Sequence, residues 1–313
     1  MSTPQVPQLV LVPDDLGVAT LADSTSITTL RYQPGEPWPD AGLDATVVVV
    51  SHESSEATAT RFAELPRLEL IQTLTAGFEQ WLPYLPDGVQ LSNGRGAHGG
   101  STAEWVVAAL LFLYRDLAYF NHSQSEGQWR PADTDTLIGK RVLVLGAGDL
   151  GANLAARLTP FDTEVTLVGR TARAGVLALG EIGELLPHVD VVVSMLPADA
   201  ATHHLIDAEF LSQLRDGAIV VNAGRGGAVD TDALTAELMS GRLRAALDVT
   251  DPEPLPEGHP LWTAPGLLLT PHVAGSTEGA SERAWVIARE QIEEFLGGGR
   301  PANLVAGPGA TDR

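Results

Sequence analysis

Three side chains of types that handle anions and protons stand just past short apolar runs in the last third of the chain. Val221-Asn222-Ala223-Gly224-Arg225-Gly226-Gly227 sets Arg225 between glycines. Glycines let backbone and ligand approach each other, and a guanidinium can hold a carboxylate by two parallel hydrogen bonds. Ala245-Ala246-Leu247-Asp248-Val249 leads through Thr250-Asp251-Pro252 to Glu253, and Leu268-Leu269-Thr270-Pro271 ends on His272. Histidine is the side chain whose charge changes near neutral pH. Taken singly, each has an ordinary explanation: an arginine is usually a surface charge, Glu253 a solvated loop residue, and any one of eight histidines structural. The succession Arg, Glu, His after consecutive predicted strands is harder to reach by chance. His203-His204 fall in a predicted surface turn and carry no role in this reading. No His-x-x-x-His spacing or Asp/Glu cluster asks for a metal, so none is expected.

A second constellation lies upstream, in Lys140–Leu158, KRVLVLGAGDLGANLAARL. Arg141–Leu145 has the pattern of a strand buried on both faces. Gly146-Ala147-Gly148-Asp149-Leu150-Gly151 then reads G-x-G-x-x-G, and Ala152–Leu158 continues with helix formers. In a chain with 32 glycines the hexapeptide alone would be a weak signal. Strand, glycine turn and helix in this order make a pyrophosphate site, because the helix N-terminus offers free N–H groups and a positive dipole end.

These residues need a scaffold that places strand ends side by side. Upstream, Gln8–Val12, Ile27–Tyr32, Ala45–Val50, Leu68–Leu74 and Val89–Ser92 read as five short strands. Ser55–Leu65 and Phe78–Leu85 read as helical or turn-like, closed by prolines at 66, 83 and 86. Strand–helix alternation predicts a parallel sheet in a small α/β unit without a glycine-rich phosphate loop. Past a Gly-rich junction at 93–100, Ser101 is predicted to cap a helix running to about Phe120, with Glu104 completing a capping box. His122–Thr136 is polar and irregular, an arm or dimer contact. Downstream of the glycine loop, strands at Glu164–Val168, Asp190–Leu196, Ala218–Asn222, Arg244–Val249 and Leu267–Thr270 alternate with helical stretches around Glu181–Leu186 and at Asp207–Leu214 and Thr231–Ser240. That is a doubly wound order, whose ligands bind at the carboxyl ends of the strands. A last helix, Ser276–Leu296, is placed to run back to the first domain.

At 313 residues the chain suits two domains, and 44% hydrophobic residues supply material for both cores. With no cysteine, disulfides and thiolate chemistry are excluded. No targeting signal and no bilayer-length apolar run appear, so a cytoplasmic protein without membrane attachment is expected. A net charge of −21 argues against nucleic acid or an anionic membrane as partner. It leaves room for a small anionic substrate, since a local arginine overrules the global field at short range. Lys140 is the only lysine. Composition bias of a GC-rich genome and adaptation to high salt both account for that.

The chain resembles the D-isomer-specific 2-hydroxyacid dehydrogenase family over nearly its whole length. LVLGAGDLG is similar to the family's cofactor loop, VNAGRGGAVDTDAL to its arginine block, ALDVTDPEPLPEGHPLW to its glutamate block and LLTPHVAGST to its histidine block. The resemblance implies a two-domain α/β fold. A doubly wound Rossmann dinucleotide-binding domain would span 99–274, and a smaller flavodoxin-like α/β substrate domain would combine 1–98 with 275–313. It implies a catalytic set of Arg225 as carboxylate anchor, His272 as general acid and Glu253 orienting His272 and favouring its charged form. Cofactor contacts are implied for Gly146, Ala147, Gly148, Asp149, Leu150 and Gly151, for Gly169, Arg170, Thr171 and Arg173, for Leu196, Pro197, Ala223 and Gly224, and for Asp248 and His272. LTAGFEQW is similar to the loop whose amides, here of Thr75, Ala76 and Gly77, receive the substrate carboxylate. His98, at the junction, is either a substrate-pocket or a hinge residue. Formate-oxidising members carry glutamine at the position of Glu253, so the glutamate favours a 2-oxoacid, whose reduction needs a proton for the nascent alkoxide.

The implied activity is reduction of a small 2-oxoacid such as glyoxylate or hydroxypyruvate to the D-2-hydroxy acid, by a homodimer joined through its dinucleotide-binding domain. A dinucleotide-sensing corepressor-like protein and a dehydrogenase of D-glycerate 3-phosphate are the alternatives. Cofactor choice is read from the tip of the second strand of the dinucleotide unit. An NAD site places a carboxylate there for the ribose hydroxyls. This chain instead has Gly169-Arg170-Thr171-Ala172-Arg173, which suits a 2′-phosphate, so NADP(H) is expected over NAD(H).

Overall fold

The computed structural model describes residues 7–51 and 53–310, so the outermost residues of the expected domain limits, 1–6 and 311–313, lie outside the described residues. Contacts divide the chain into two compact units, Met1–His98 with Glu278–Arg313, and Gly99–Thr277. In chain order the first unit opens with β1 (Gln8–Val12), α1 (Asp15–Leu21), β2 (Ile27–Arg31), β3 (Val47–Val50), α2 (Glu56–Ala59), β4 (Leu70–Thr73) and β5 (Gln90–Ser92). The second contains α3 (Gly99–Tyr114), α4 (Leu117–Ser125), β6 (Arg141–Leu145), α5 (Asp149–Leu158), β7 (Glu164–Gly169), β8 (Val176–Ala178), β9 (Val191–Ser194), α6 (Ala208–Ser212), β10 (Ile219–Asn222), α7 (Thr231–Met239), β11 (Arg244–Leu247) and β12 (Leu267–Leu269). The chain then returns to the first unit with α8 (Ala280–Leu296) and β13 (Leu304–Ala306).

The second unit is built on a seven-stranded sheet in the order β12-β11-β10-β9-β6-β7-β8, with every pairing parallel. Its strands are buried on both faces, which is why they read as continuous apolar runs. Alternation along β6 sends Val142 and Val144 into a core shared with Val106, Leu110, Leu154 and Leu158 of α3 and α5. Leu143 and Leu145 go to the opposite core, with Phe210, Leu211, Leu234 and Leu238 of α6 and α7. The chain reverses its direction of strand addition between β6 and β9, and a doubly wound sheet binds its ligand at that switch point.

The first unit has the order β13-β5-β4-β3-β1-β2, parallel except for β13. Leu11, Val48, Val50 and Ile71 face Trp38, Phe62 and Trp81 on one side. Val10, Val12, Val47 and Val49 face Trp285, Ala288 and Ile292 of α8 on the other. Gly17 of α1 exists to admit the Trp285 ring, since a Cβ there would come within 2.4 Å of it.

Three local expectations are corrected. The helix predicted to be capped by Ser101 begins two residues earlier, so Ser101 lies inside it. It can start there because Gly99 has no side chain: a Cβ would lie 2.0 Å from the Asp149 carboxylate of α5. The same helix stops at Tyr114 rather than Phe120. Tyr114 gives its carbonyl to the Asp135 N–H at 3.0 Å, Asp116 takes a left-handed φ of 46°, and α4 starts afresh. The last helix starts at Ala280, not Ser276. The stretches read as helical or turn-like at Ser55–Leu65 and Phe78–Leu85 are turns: a single α-turn followed by a 3-10 turn, and a 3-10 turn across Glu79–Tyr84.

Candidate active site

The glycine loop has the shape its pattern implies. Gly146 adopts φ 113° and presses on the Met195 carbonyl, where a Cβ would come to 2.6 Å. At Gly151 a Cβ would reach the Gly146 carbonyl, so the helix can pack against its own turn only without a side chain. Around Gly148 a Cβ would meet nothing within 4 Å. Among the described residues nothing accepts a hydrogen bond from the N–H groups of Asp149, Leu150 or Gly151, the first three of α5. Open space before three free N–H groups at the start of a ten-residue helix fits a dinucleotide pyrophosphate. Asp149 turns its carboxylate aside, with Oδ1 accepting from Asn153 Nδ2 at 3.0 Å. Leu150 packs into the core beside α3.

The turn after β7 reaches this loop. Arg173 Nη2 donates to the Ala147 carbonyl at 2.8 Å, and Gly169 leaves room for the arginine, whose Nη1 would lie 3.1 Å from a Cβ. Arg170 is exposed and donates to Asp199 Oδ2 at 2.8 Å, and Thr171 is exposed beside it. Asp199 is a residue the sequence reading missed. It anchors a turn after β9, accepting from the Ala201 and Thr202 N–H groups at 2.8 and 3.0 Å. An Asp at the head of a turn is a legible local signal; its arginine 29 residues away is not. A cleft of about 420 Å³ borders this turn, lined by Ala198, Asp199, Thr202, His203 and Gly227 among others.

The arginine loop hangs on Asn222, the second residue the sequence reading passed over. This side chain, 1% exposed, donates to the Arg225 carbonyl at 2.9 Å and accepts from the Gly224 N–H at 3.2 Å. A buried amide at a strand end is the signal that could have found it. Gly224 lies against Leu196, whose backbone N and O a Cβ would approach to 2.6 Å, and Gly226 lies against the Thr250 carbonyl. Ala223 is tied to Ser194 by its N–H, and the Pro197 carbonyl accepts from Thr202 Oγ1. Arg225 Nη1 donates to the Gly224 carbonyl at 3.0 Å.

His272 and Glu253 meet: Nδ1 and Oε1 lie 2.6 Å apart. Both are partly exposed, at 53% and 41% of their side-chain surface, so the Nε2 edge of the ring is reachable. What fixes the histidine is Asp248, 3% exposed. Its carboxylate accepts from Thr270 Oγ1 at 2.6 Å and from the Val273 and Ala274 N–H groups at 2.9 Å, while its carbonyl accepts from the His272 N–H at 2.8 Å. The resemblance gives Asp248 a cofactor contact; the structure shows it bracing the turn on which His272 sits at φ 54°. Asp248, Glu253 and His272 thus form one bonded group.

Thr75, Ala76, Gly77 and His98 belong to the first unit. The loop after β4 has its carbonyls occupied: Thr73 Oγ1 and the Gly94 N–H donate to Thr75, Asn93 Nδ2 to Ala76, and Thr75 Oγ1 to Gly77, at 2.6 to 2.8 Å. Among the described residues no acceptor takes the N–H groups of Thr75, Ala76 or Gly77. Three successive free amides make a concavity for an anion. His98 Nε2 lies 3.4 Å from the Leu74 carbonyl, one residue before that loop.

A doubly wound sheet with a bare helix N-terminus at its switch point defines a dinucleotide-binding protein, and a bonded His–Glu pair lies on the same edge. The sequence profile of the NAD-binding domain of D-isomer specific 2-hydroxyacid dehydrogenases matches residues 107–274. A glyoxylate reductase of Thermofilum pendens is 31% identical over 255 residues, covering 77% of this chain and 75% of that protein. A D-3-phosphoglycerate dehydrogenase of Mycobacterium leprae is 30% identical over 307 residues, 91% of this chain but 58% of the relative. The crystal structure of a D-isomer specific 2-hydroxyacid dehydrogenase from Xanthobacter autotrophicus, in complex with NADPH and MES, superposes with a TM-score of 0.84 at 30% identity, covering 96% of this chain and 98% of that one. The chain belongs to the D-isomer specific 2-hydroxyacid dehydrogenase family, and with it to the NAD(P)-dependent oxidoreductases. Among the described residues no helix is long and apolar enough to cross a membrane.

Proposed function

We propose that the protein reduces a small 2-oxoacid, glyoxylate or hydroxypyruvate in class, to the D-2-hydroxy acid, with NADP(H) preferred over NAD(H). The observation that carries this reading is the 2.6 Å bond between His272 Nδ1 and Glu253. A dinucleotide held by its pyrophosphate at the glycine loop would supply the hydride from its nicotinamide ring. The remaining tasks fall to the chain. The Arg225 guanidinium is assigned to the carboxylate of the substrate, and in the first unit, the proposed substrate-binding domain, the Thr75–Gly77 amides are anion-binding groups. His272, held by Glu253 through Nδ1, delivers a proton from Nε2 to the carbonyl oxygen as it gains charge.

The cofactor preference rests on Arg170 and Arg173 and on the lack of a carboxylate at the tip of β7. Asp199 limits it, because Arg170 has to exchange that partner for a 2′-phosphate. The assembly proposed is a homodimer through the second unit, supported by Trp129 at 97% and Ile138 at 65% exposure in the arm after α4.

The test is turnover of NADPH and NADH with a panel of 2-oxoacids, for wild type and His272→Ala. Wild type is expected to reduce glyoxylate or hydroxypyruvate, and His272→Ala to lose about 10²–10⁴ in kcat with cofactor affinity kept. A variant that retains its kcat removes His272 from the chemistry; a wild type inert to every 2-oxoacid removes the reading.

A further inference from the structure

His203 and His204 follow the turn that Asp199 organises after β9. The His203 N–H donates to the Asp199 carbonyl at 3.1 Å and the His204 N–H to the Gly227 carbonyl at 2.8 Å. His204 takes a left-handed φ of 50°, and the two rings stack with centroids 4.0 Å apart and planes 23° from parallel. In sequence the pair carries no metal spacing. The fold adds a third donor, Asp251, from the segment after β11, whose carbonyl is held by Thr231 Oγ1 at 2.6 Å. One donor atom from each of His203, His204 and Asp251 lies within 4.8 Å of the other two.

Two further observations point the same way. Gly227 stands between the donors: a Cβ on it would be 3.3 Å from Asp251 Oδ2 and 3.4 Å from His203 Nδ1. Its missing side chain keeps open the space that the donors border. Among the described residues, no hydrogen bond or ion pair engages the His203 ring or the Asp251 carboxylate. The His204 ring has Asp230 Oδ2 at 4.0 Å from its Nδ1, a second carboxylate in position to hold the imidazole once it ligates.

The geometry points to an open site for a divalent transition metal on His203, His204 and Asp251. Two imidazoles and one carboxylate suit Zn²⁺, Ni²⁺ or Cu²⁺, whereas Mg²⁺ and Ca²⁺ prefer all-oxygen shells. Zinc bonds of about 2.0–2.2 Å ask for donors roughly 3.3 Å apart, so the three exposed side chains must close by up to about 1.5 Å, within reach of rotation about their own bonds. Three protein ligands leave the remaining positions to water. The acidic surface raises the local cation concentration. A metal here ties the turn after β9, which carries Asp199, to the segment after β11, which leads into Glu253. Occupancy therefore stiffens two loops at the edge of the sheet where the cofactor is proposed to bind.

The experiment titrates the metal-free full-length protein with Zn²⁺ and Co²⁺ against a chromophoric chelator, with Mg²⁺ in parallel. Co²⁺ absorption reports ligand geometry, and thermal melting reports coupling to folding. One equivalent of Zn²⁺ or Co²⁺ is expected to bind and raise the Tm, with no response to Mg²⁺. His203→Gln and Asp251→Asn are each expected to weaken binding at least 10-fold, while His122→Ala, which removes a histidine near Glu126 on α4, leaves it unchanged. Circular dichroism and melting in chelator confirm that the variants fold. Full stoichiometric binding by a His203→Gln, His204→Asn double variant overturns the site, as does wild-type affinity no tighter than that of free imidazole.

Discussion

Asp248 shows how a residue can shape chemistry by holding another. Every bond it accepts through its carboxylate comes from residues 270–274, so it sets where His272 starts and which way its backbone turns. The placement of Arg225, Glu253 and His272 after strands was legible in sequence, at the edge where a doubly wound sheet binds its ligands. Asn222 and Asp199 were not, because their importance lies in the partner rather than in the residue type. Asp199 gives the sharpest residue-scale prediction. Asp199→Asn frees Arg170, so the ratio of kcat/KM for NADPH over NADH should rise by about 2–5-fold, the scale of a surface ion pair worth up to about 1 kcal/mol. Arg170→Ala should lower the same ratio. Steady-state kinetics with both cofactors at one salt concentration checks this, and a ratio unmoved in both variants rules out Arg170 as a cofactor contact.

At the scale of elements, the strands were legible and their edges were not. β8 and β13 have three residues each and sit at sheet margins, too short to show a period and fixed by the neighbour they pair with. Helix ends were set by packing: Gly99 admits α5, and the arm at Asp135 takes the Tyr114 carbonyl. One loop arginine does comparable work for α6 and α7. Arg242 donates to the Leu211 and Leu214 carbonyls at 2.7 Å and to Glu237 at 2.6 Å, capping a five-residue helix that could not hold its own end. Arg242→Ala should cost about 1–3 kcal/mol, for two carbonyls and a carboxylate left without their charged donor. The Arg242 hydrogen bond also holds the Glu237 carboxyl below its ordinary value. A lowered carboxyl stabilises the fold above the ordinary glutamate range and loses that contribution as pH falls through the lowered value. Wild type should therefore melt above Glu237→Gln at neutral pH, and the gap should close in acid. A gap independent of pH would show that the pair contributes nothing electrostatic.

For the whole molecule, alternation of strand and helix made the class of fold legible, while the proposed dimer rests on surface that no periodicity reveals. Trp129 and Ile138 in the arm, with Leu117 and Tyr119 of α4, present apolar side chains from 41% to 97% exposed. A charge placed among them should oppose burial, so Trp129→Asp is expected to sediment as a monomer where wild type sediments as a dimer. Identical sedimentation of the two proteins would move the interface elsewhere. The return of α8 to the first unit has a consequence in the order of synthesis. The ribosome releases β1 to β5 with the face of Val10, Val12, Val47 and Val49 only partly covered, by Leu21 of α1, because Trp285, Ala288 and Ile292 that complete the cover are not yet made. The contiguous second unit can close in the meantime. At about 5–20 residues per second the first sheet waits roughly 10–40 s for its last helix, so the unit that begins first finishes last and spends that interval exposed to aggregation and to chaperones.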